Sequence, residues 1–141
     1  MGYLLNTAAR LIKRELDERL RVYGVTTSQW AVLKLLERED NLSQAQIAAR
    51  LNGDRATCGT VIEKMIKKGL LTKELSASDR RSYQVKITPA AGDIVREVSE
   101  IADRANDRAL KNISDEDRVL FIRCLQMVIT DLGGEVDGME S

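Results

Sequence analysis

The segment that decides the fold runs from Ser43 to Lys68 and reads SQAQIAARLNGDRATCGTVIEKMIKK. Ser43, with Gln46 three residues later, has the pattern of a capping box, in which two side chains satisfy backbone N–H groups at the start of a helix. Asn52-Gly53 tolerates a left-handed backbone and predicts the end of that helix, and Asp54 predicts the N-cap of a second one. Two short helices joined by a tight glycine-containing turn form a helix-turn-helix.

The second helix begins with small and polar side chains from Arg55 to Thr60. Such a surface can approach the major groove closely, where arginine pairs with guanine and a threonine methyl contacts the thymine methyl. An ordinary core helix with a polar outer face has the same pattern, so this stretch alone leaves both interpretations open. The residues that we assign to the DNA-facing surface are Ser43, Gln44, Arg55, Ala56, Thr57, Thr60 and Lys64.

A β-hairpin is predicted after the second helix. Gly69 ends the helix, and residues 70–75 and 83–87 form two short runs with partial period-two alternation. The tip between them carries Asp79, Arg80 and Arg81. Basic arms beside a recognition helix reach the neighbouring minor groove, and we expect Asp79 to orient one arginine by a charge-assisted hydrogen bond. A solvated hairpin tip is the alternative, but the preceding helix-turn-helix favours a DNA-binding wing.

Six short motifs stand in the order and spacing of a known family. They are Gln29-Trp30-Ala31-Val32-Leu33, Leu42-Ser43-Gln44, Ile47-Ala48, Lys68-Gly69-Leu70-Leu71, Asp79-Arg80-Arg81 and Ile87-Thr88-Pro89. Over residues 25–95 the chain therefore resembles the MarR family of winged-helix transcriptional regulators, and its wing resembles the SlyA-type branch. The resemblance implies a repressor that binds double-stranded DNA as a homodimer. The chain departs from the family pattern at Cys58-Gly59 and at Ala91.

The predicted fold is mainly α with a small β-hairpin wing, a winged helix-turn-helix with long N- and C-terminal dimerisation helices. Apolar side chains recur at helical spacing from Leu4 to Leu20, from Ile94 to Ala109 and from Phe121 to Leu132. These faces exceed what one small winged helix can cover, which favours burial against a second subunit, with packing within one chain as the alternative. We expect dimerisation helices at 1–24 and 89–133, a DNA-binding lobe at 26–88 and a flexible tail at 134–141.

The charges favour DNA binding by the central part of the chain. The whole chain has 22 Lys/Arg and 22 Asp/Glu residues. Residues 50–87 hold nine basic and four acidic residues, whereas residues 88–141 hold six and twelve. Affinity for nucleic acid depends on local neutralisation of phosphates rather than on the charge of the whole chain. A merely solvated basic face would have the same composition.

Two kinds of regulation are considered. The family resemblance implies that a small aromatic or anionic ligand binds between the dimerisation helices and the DNA-binding lobe, and we assign Arg10, Lys13, Tyr23 and Trp30 to that crevice. The alternative is that Trp30 belongs to the core and the cations to a solvated face.

Thiol oxidation is the second kind of regulation. Cys58 follows Arg55 near a helix N-terminus, and both features favour the thiolate. Cys124 lies beside an apolar stripe and is expected to be inert packing.

Other classes of function are disfavoured. The chain has no histidine and no glycine-rich phosphate loop after a strand, so an enzyme is not expected. Two distant cysteines without a CxxC motif argue against a metal site, and no cofactor is expected. Neither a long apolar run nor a leader is visible, so we expect a cytoplasmic protein without membrane contact. A winged helix that contacts proteins instead of DNA remains the main alternative.

Overall fold

The computed structural model describes residues 1–79 and 81–136. The helices are α1 Gly2–Leu20, α2 Thr27–Arg38, α3 Gln44–Arg50, α4 Arg55–Lys67, α5 Pro89–Ala109 and α6 Asp115–Asp131, with a 3-10 turn at Arg21–Tyr23 after α1. The strands are β1 Leu71–Leu75 and β2 Tyr83–Ile87, paired antiparallel in one hairpin. The prediction of a mainly α fold with a small hairpin wing is confirmed.

The predicted helix starts are confirmed by their hydrogen bonds. Ser43 Oγ accepts from the backbone N–H of Gln46 at 3.1 Å, while Gln46 Oε1 accepts from the N–H of Ser43 at 2.9 Å, which completes the capping box. Asp54 Oδ1 accepts from the N–H of Thr57 at 2.8 Å and begins α4. Asn52 has a φ of 52° in the turn before α4, and the helix-turn-helix follows from these local interactions.

The hydrophobic core lies between α2, α3, α4, the inner face of the hairpin and the first half of α5. The hairpin register pairs Leu71 with Ile87 and Leu75 with Tyr83. The carbonyl of Leu42 accepts from the N–H of Val85 at 2.8 Å and ties the hairpin to the segment before α3. Side chains that are almost fully buried in this core include Leu33, Leu36, Ile47, Ile62, Met65, Leu71 and Val85.

The buried stripe of α5 shares only Val98 and Ala105 with the predicted one, which was Ile94, Val98, Ile101, Ala105 and Ala109. Its buried residues are Ala91, Val95, Val98, Ala102 and Ala105, whereas Ala109 is exposed and Ile94 and Ile101 are half-buried. Two neighbouring apolar stripes run along this helix, and packing against α1 and α2 selects one of them. The sequence does not reveal which of two adjacent stripes faces the core.

The terminal helices bury little of their apolar surface within the chain. Leu20 is the only buried residue described in α1, and none of the described residues of α6 is buried. Phe121 is 40% exposed and Leu132 is 83% exposed. None of the described helices combines the length and the apolarity needed to cross a membrane.

Candidate nucleic-acid interface

Helix α4 has one buried face and one exposed face. Ile62 and Met65 are fully buried against the core. All five residues of α4 that were predicted to face DNA are exposed, Arg55 in the first turn and the others on the side away from Ile62: Arg55, Ala56, Thr57, Thr60 and Lys64. Thr60 Oγ1 lies 3.1 Å from the carbonyl oxygen of Ala56 and donates to it, so its hydroxyl is satisfied within the helix. This face presents small and polar groups without an apolar patch.

The start of α3 lies next to α4. Ser43 and Gln44 are both half-buried, and the Ser43 hydroxyl is engaged in the capping box. A Cβ atom added to Gly59 would stand 3.6 Å from Gln44 Oε1, which is ordinary van der Waals contact. Packing therefore does not require glycine at this position, where the chain departs from the family pattern.

The hairpin tip is only partly described, because Arg80 lies outside the described residues. Asp79 and Arg81 are both exposed. Asp79 Oδ1 accepts from the backbone N–H of Arg81 at 2.9 Å. We expected Asp79 to bind the guanidinium group of an arginine, but at Arg81 it binds the backbone N–H instead. The short aspartate side chain reaches the N–H two residues ahead and forms an Asx turn.

A cleft of about 360 Å³ separates the two predicted DNA-binding elements. We call it the helix–hairpin cleft. Helix α3 and its cap contribute Ser43, Gln44 and Ala45, α4 contributes Arg55, and the hairpin contributes Lys73, Arg81, Ser82 and Tyr83. Its described lining thus includes three cations and no carboxylate, which suits an anionic ligand.

Lys73 and Tyr83 belong to this cleft and were missed by the sequence analysis. Lys73 Nζ lies 5.1 Å from the centre of the Tyr83 ring and 3.1 Å from Glu63 Oε1 of α4. Successive side chains of a strand alternate between its two faces, so Lys73 shares the inner face with the buried Leu71. The alternation of side chains along a strand, applied from the apolar Leu71, would have predicted that Lys73 faces α4.

Several basic residues of the central segment have structural partners. Arg50 bridges Glu39, at 3.1 Å, and Glu135, at 3.2 Å, and hydrogen bonds from these carboxylates raise the pKa of its guanidinium. Lys86 pairs with Glu74 at 2.9 Å on the outer face of the hairpin, and this hydrogen bond raises the pKa of Lys86. Glu39 and Glu135 lie outside residues 50–87, so the net charge of that segment overstates the charge available to DNA, whereas the pair of Lys86 with Glu74 is already included in it.

The four residues assigned to an effector site lie in different surroundings. Trp30 is 6% exposed and lies in the core, with Lys34 Nζ 5.6 Å from the centre of its ring. Tyr23 is half-buried against the core, and Arg10 is exposed. Lys13 pairs with Asp17 at 2.8 Å. The assignment of these residues to a ligand site stays a prediction.

The two thiols differ from their predicted surroundings. Burial, and then the nearby carboxylate of Asp54, raise the pKa of the Cys58 thiol. The expected stabilisation of its thiolate is wrong, because burial and a nearby negative charge both disfavour the charged form of the sulfur. Cys124 is exposed on α6, so its expected burial is not found within the chain.

A set of contacts links the end of the described chain to the helix-turn-helix. Asn52 Nδ2 donates to the carbonyl oxygen of Glu135 at 2.8 Å, and Asn52 Oδ1 accepts from the N–H of Glu135 at 2.8 Å. Arg50 adds its ion pair to the carboxylate of Glu135. We call Arg50, Asn52, Gly134 and Glu135 the C-terminal clasp. The described part of the predicted flexible tail, 134–136, therefore begins with ordered contacts, and the rest lies outside the described residues.

Comparisons with known proteins agree with this architecture. The MarR family model matches residues 23–82. A probable transcriptional regulator from Pseudomonas aeruginosa is 25% identical, with 92% of this chain and 96% of that chain covered and a TM-score of 0.86. A mutant MarR from E. coli complexed with operator DNA is 19% identical, with 91% and 92% covered and a TM-score of 0.85.

A third similar structure concerns the regulation of DNA binding of BpsR from Bordetella bronchiseptica by 6-hydroxynicotinic acid. It is 23% identical, with 91% of each chain covered and a TM-score of 0.85. The chain thus has the fold of MarR winged-helix structures along most of its length. Within that fold, residues 23–82 are similar in sequence to the MarR family.

Proposed function

We propose that this chain is a sequence-specific transcriptional repressor that binds pseudo-palindromic operators as a homodimer. The observation that carries the proposal is the polar face of α4 beside the helix–hairpin cleft, where Arg55, Lys73 and Arg81 meet. A protein-binding surface would not require this polarity on both elements, so the protein-contact alternative has less support.

Each element has a proposed role on DNA. The first turns of α4 enter the major groove, where Arg55 reads guanine and Thr57 and Thr60 contact thymine methyl groups. Ala56 permits close approach of the backbone, and Lys64 contacts a phosphate. Asp79 holds the turn that presents Arg81, and both Arg81 and Arg80 are assigned to the minor groove. Ser43 and Gln44 contact the sugar–phosphate backbone beside the helix–hairpin cleft.

The dimer is proposed from the unpartnered faces of α1 and α6. Leu11 and Phe121 lie at these faces, and a space of about 440 Å³ that they help to line is open on one side of the chain. Exposed apolar surfaces of this extent favour association. A twofold dimer would place its recognition helices on two half-sites one helical turn apart.

Release from DNA is proposed to follow the binding of a small aromatic or anionic ligand. Arg10, Lys13, Tyr23 and Trp30 remain the residues assigned to it. BpsR, whose DNA binding is regulated by 6-hydroxynicotinic acid, supports this type of regulation. A ligand of this kind acts only if it binds the DNA-bound and free conformations with different affinities. The SlyA-type branch, whose members also activate transcription, and the thiol switch are retained as alternatives, and the raised pKa of Cys58 weighs against the second.

The first test is fluorescence anisotropy of the purified protein on the DNA upstream of its own gene. We expect saturable binding that survives excess nonspecific competitor and weakens steeply with salt. Arg55→Ala should lose sequence preference, whereas Arg104→Ala, at an exposed position on α5, should bind like the wild type. Weak binding that competitor abolishes, on this DNA and on fragments selected from the whole genome, would overturn the proposal.

A further inference from the structure

The path of DNA past the helix–hairpin cleft follows from the shape of the duplex. The major and minor grooves share one sugar–phosphate strand between them. A protein that places α4 in the major groove and the hairpin tip in the minor groove must straddle that strand. The cleft is the space between these two elements, so the shared strand passes through it.

The chemistry of the cleft fits a phosphate. Arg55, Lys73 and Arg81 approach it from α4, from β1 and from the hairpin tip, and no carboxylate belongs to its described lining. Among the three, Lys73 is the one held by neighbours on both sides. The Tyr83 ring lies under its ammonium group at 5.1 Å, and Glu63 holds it at 3.1 Å. A cation that is already oriented loses less conformational freedom when it binds an anion.

We propose that the helix–hairpin cleft binds a backbone phosphate of DNA, and that Lys73 exchanges Glu63 for this phosphate when DNA arrives. The proposal rests on the proposed function and assigns two further residues to it. Lys73 is the ligand of the phosphate, and Tyr83 is a positioning residue that keeps the ammonium group in the cleft. Glu63 competes with DNA for Lys73 and so lowers the affinity of the protein for any duplex.

The ion pair of Lys73 is suited to such an exchange. The side chain of Glu63 is 53% exposed and that of Lys73 is 32% exposed, so the pair is screened by water and is weak. A phosphate in the cleft would meet Arg55 and Arg81 as well as Lys73. It therefore gains contacts that Glu63, on the outer surface of α4, does not make.

The hairpin offers a matched control for this proposal. Lys86 stands on the neighbouring strand and pairs with Glu74 at 2.9 Å, but on the outer face and away from the cleft. Lys86→Met and Glu74→Gln therefore change the same charges as Lys73→Met and Glu63→Gln, at nearly the same height of the hairpin. Only Lys73→Met and Glu63→Gln change a residue of the cleft or its ion-pair partner.

The test measures binding of the full-length variants to a mixed-sequence duplex of about 30 base pairs, long enough for two half-sites one turn apart. Each phosphate contact contributes about 0.9 to the slope of log affinity against log salt. Lys73→Met should lower that slope by about 1.8 for a dimer with two clefts, and Lys86→Met should leave it nearly unchanged. Circular dichroism and light scattering confirm that each variant is folded and has the wild-type mass.

A double-mutant cycle tests the exchange itself. Glu63→Gln should tighten binding about twofold to fivefold per cleft, the range expected for loss of a competing surface ion pair. In the Lys73→Met background the same substitution should have no effect, and Glu74→Gln should change little in either background. If Glu63→Gln raised the affinity for DNA equally with and without Lys73, its effect would come only from the loss of a negative charge near DNA. That result would overturn the proposed exchange.

The outcomes separate this proposal from the proposed function. Steep salt dependence in the wild type together with equal slopes for Lys73→Met and Lys86→Met would reject the phosphate site and leave DNA binding standing. A wild type whose weak binding does not depend on salt would reject both. A slope lowered by Lys73→Met alone, with the gain from Glu63→Gln dependent on Lys73, would support the cleft as a phosphate site.

Discussion

Single residues of α4 differ in chemistry because they lie on opposite faces of one helix. Thr57 and Thr60 are exposed, whereas Cys58, between them, is buried. A helix turns by about 100° per residue, so neighbours in sequence face different surroundings. The position of Cys58 at the helix start would favour a thiolate, but burial and the Asp54 carboxylate reverse this effect and raise its pKa.

The reactivity of Cys58 tests this reversal. A raised pKa keeps the thiol protonated until the pH rises above the ordinary range, and only the thiolate reacts with alkylating agents. In a Cys124→Ser variant, we expect alkylation of Cys58 by iodoacetamide at neutral pH to be much slower in the folded protein than in urea, and to accelerate as the pH is raised. Mass spectrometry of the labelled peptide gives the rates. Faster labelling of Cys58 in the folded protein than in urea would contradict the raised pKa and would support regulation by thiol oxidation.

At the scale of elements, the C-terminal clasp joins the end of α6 to the turn that precedes α4. Glu135 is bound by Asn52 through both its backbone groups, and Asp54, the N-cap of α4, follows Asn52 by two residues. Local signals give no indication of this link, because it joins residues that are more than 80 positions apart in the sequence. The clasp fixes where α6 ends relative to α4.

Gly134 provides a direct test of the clasp. An added Cβ would stand 2.7 Å from Ile129 Cγ2 and 3.0 Å from Asn52 Oδ1, so Gly134→Ala should force the clasp apart. We expect a loss of about 1–3 kcal/mol in the free energy of unfolding, as for other overpacked sites. Gly92→Ala is the control, since its Cβ would meet nothing within 4 Å, and it should stabilise α5 by up to about 1 kcal/mol. Equal urea midpoints for the two variants would contradict the clasp.

At the scale of the whole molecule, α1 and α6 leave large apolar side chains exposed, among them Leu4, Leu11 and Phe121. Phe121→Asp places a charge in the space lined by Leu11, Leu110 and other apolar residues, so it should prevent burial of this face against a second copy. Light scattering should give the mass of two chains for the wild type and of one chain for the variant. Leu75→Asp, at an exposed position on the hairpin, should leave the mass at two chains. A wild-type protein that has the mass of one chain at all concentrations would contradict the proposed dimer.

The sequence by itself determined the local structure of the helix-turn-helix and of the helix starts around it. Ser43, Asp54 and Thr88 begin helices, and Gly69 ends one, because a cap and the backbone group that it satisfies are only a few residues apart. The exposed face of α4 was also predictable, since the 3.6-residue period of a helix separates Ile62 and Met65 from Thr60 and Lys64. These features depend on neighbours along the chain and hardly on the remaining fold.

Only the tertiary structure decided which distant residues meet. It selected one of two apolar stripes on α5, buried the side chain of Cys58 in the core, and joined Glu135 to Asn52. It also brought Lys73 from β1 to Glu63 of α4 and to Tyr83 of β2, which formed the helix–hairpin cleft. Each of these outcomes depends on how helices and strands pack around the shared core, and packing follows from the shapes of many side chains at once rather than from any short pattern in the sequence.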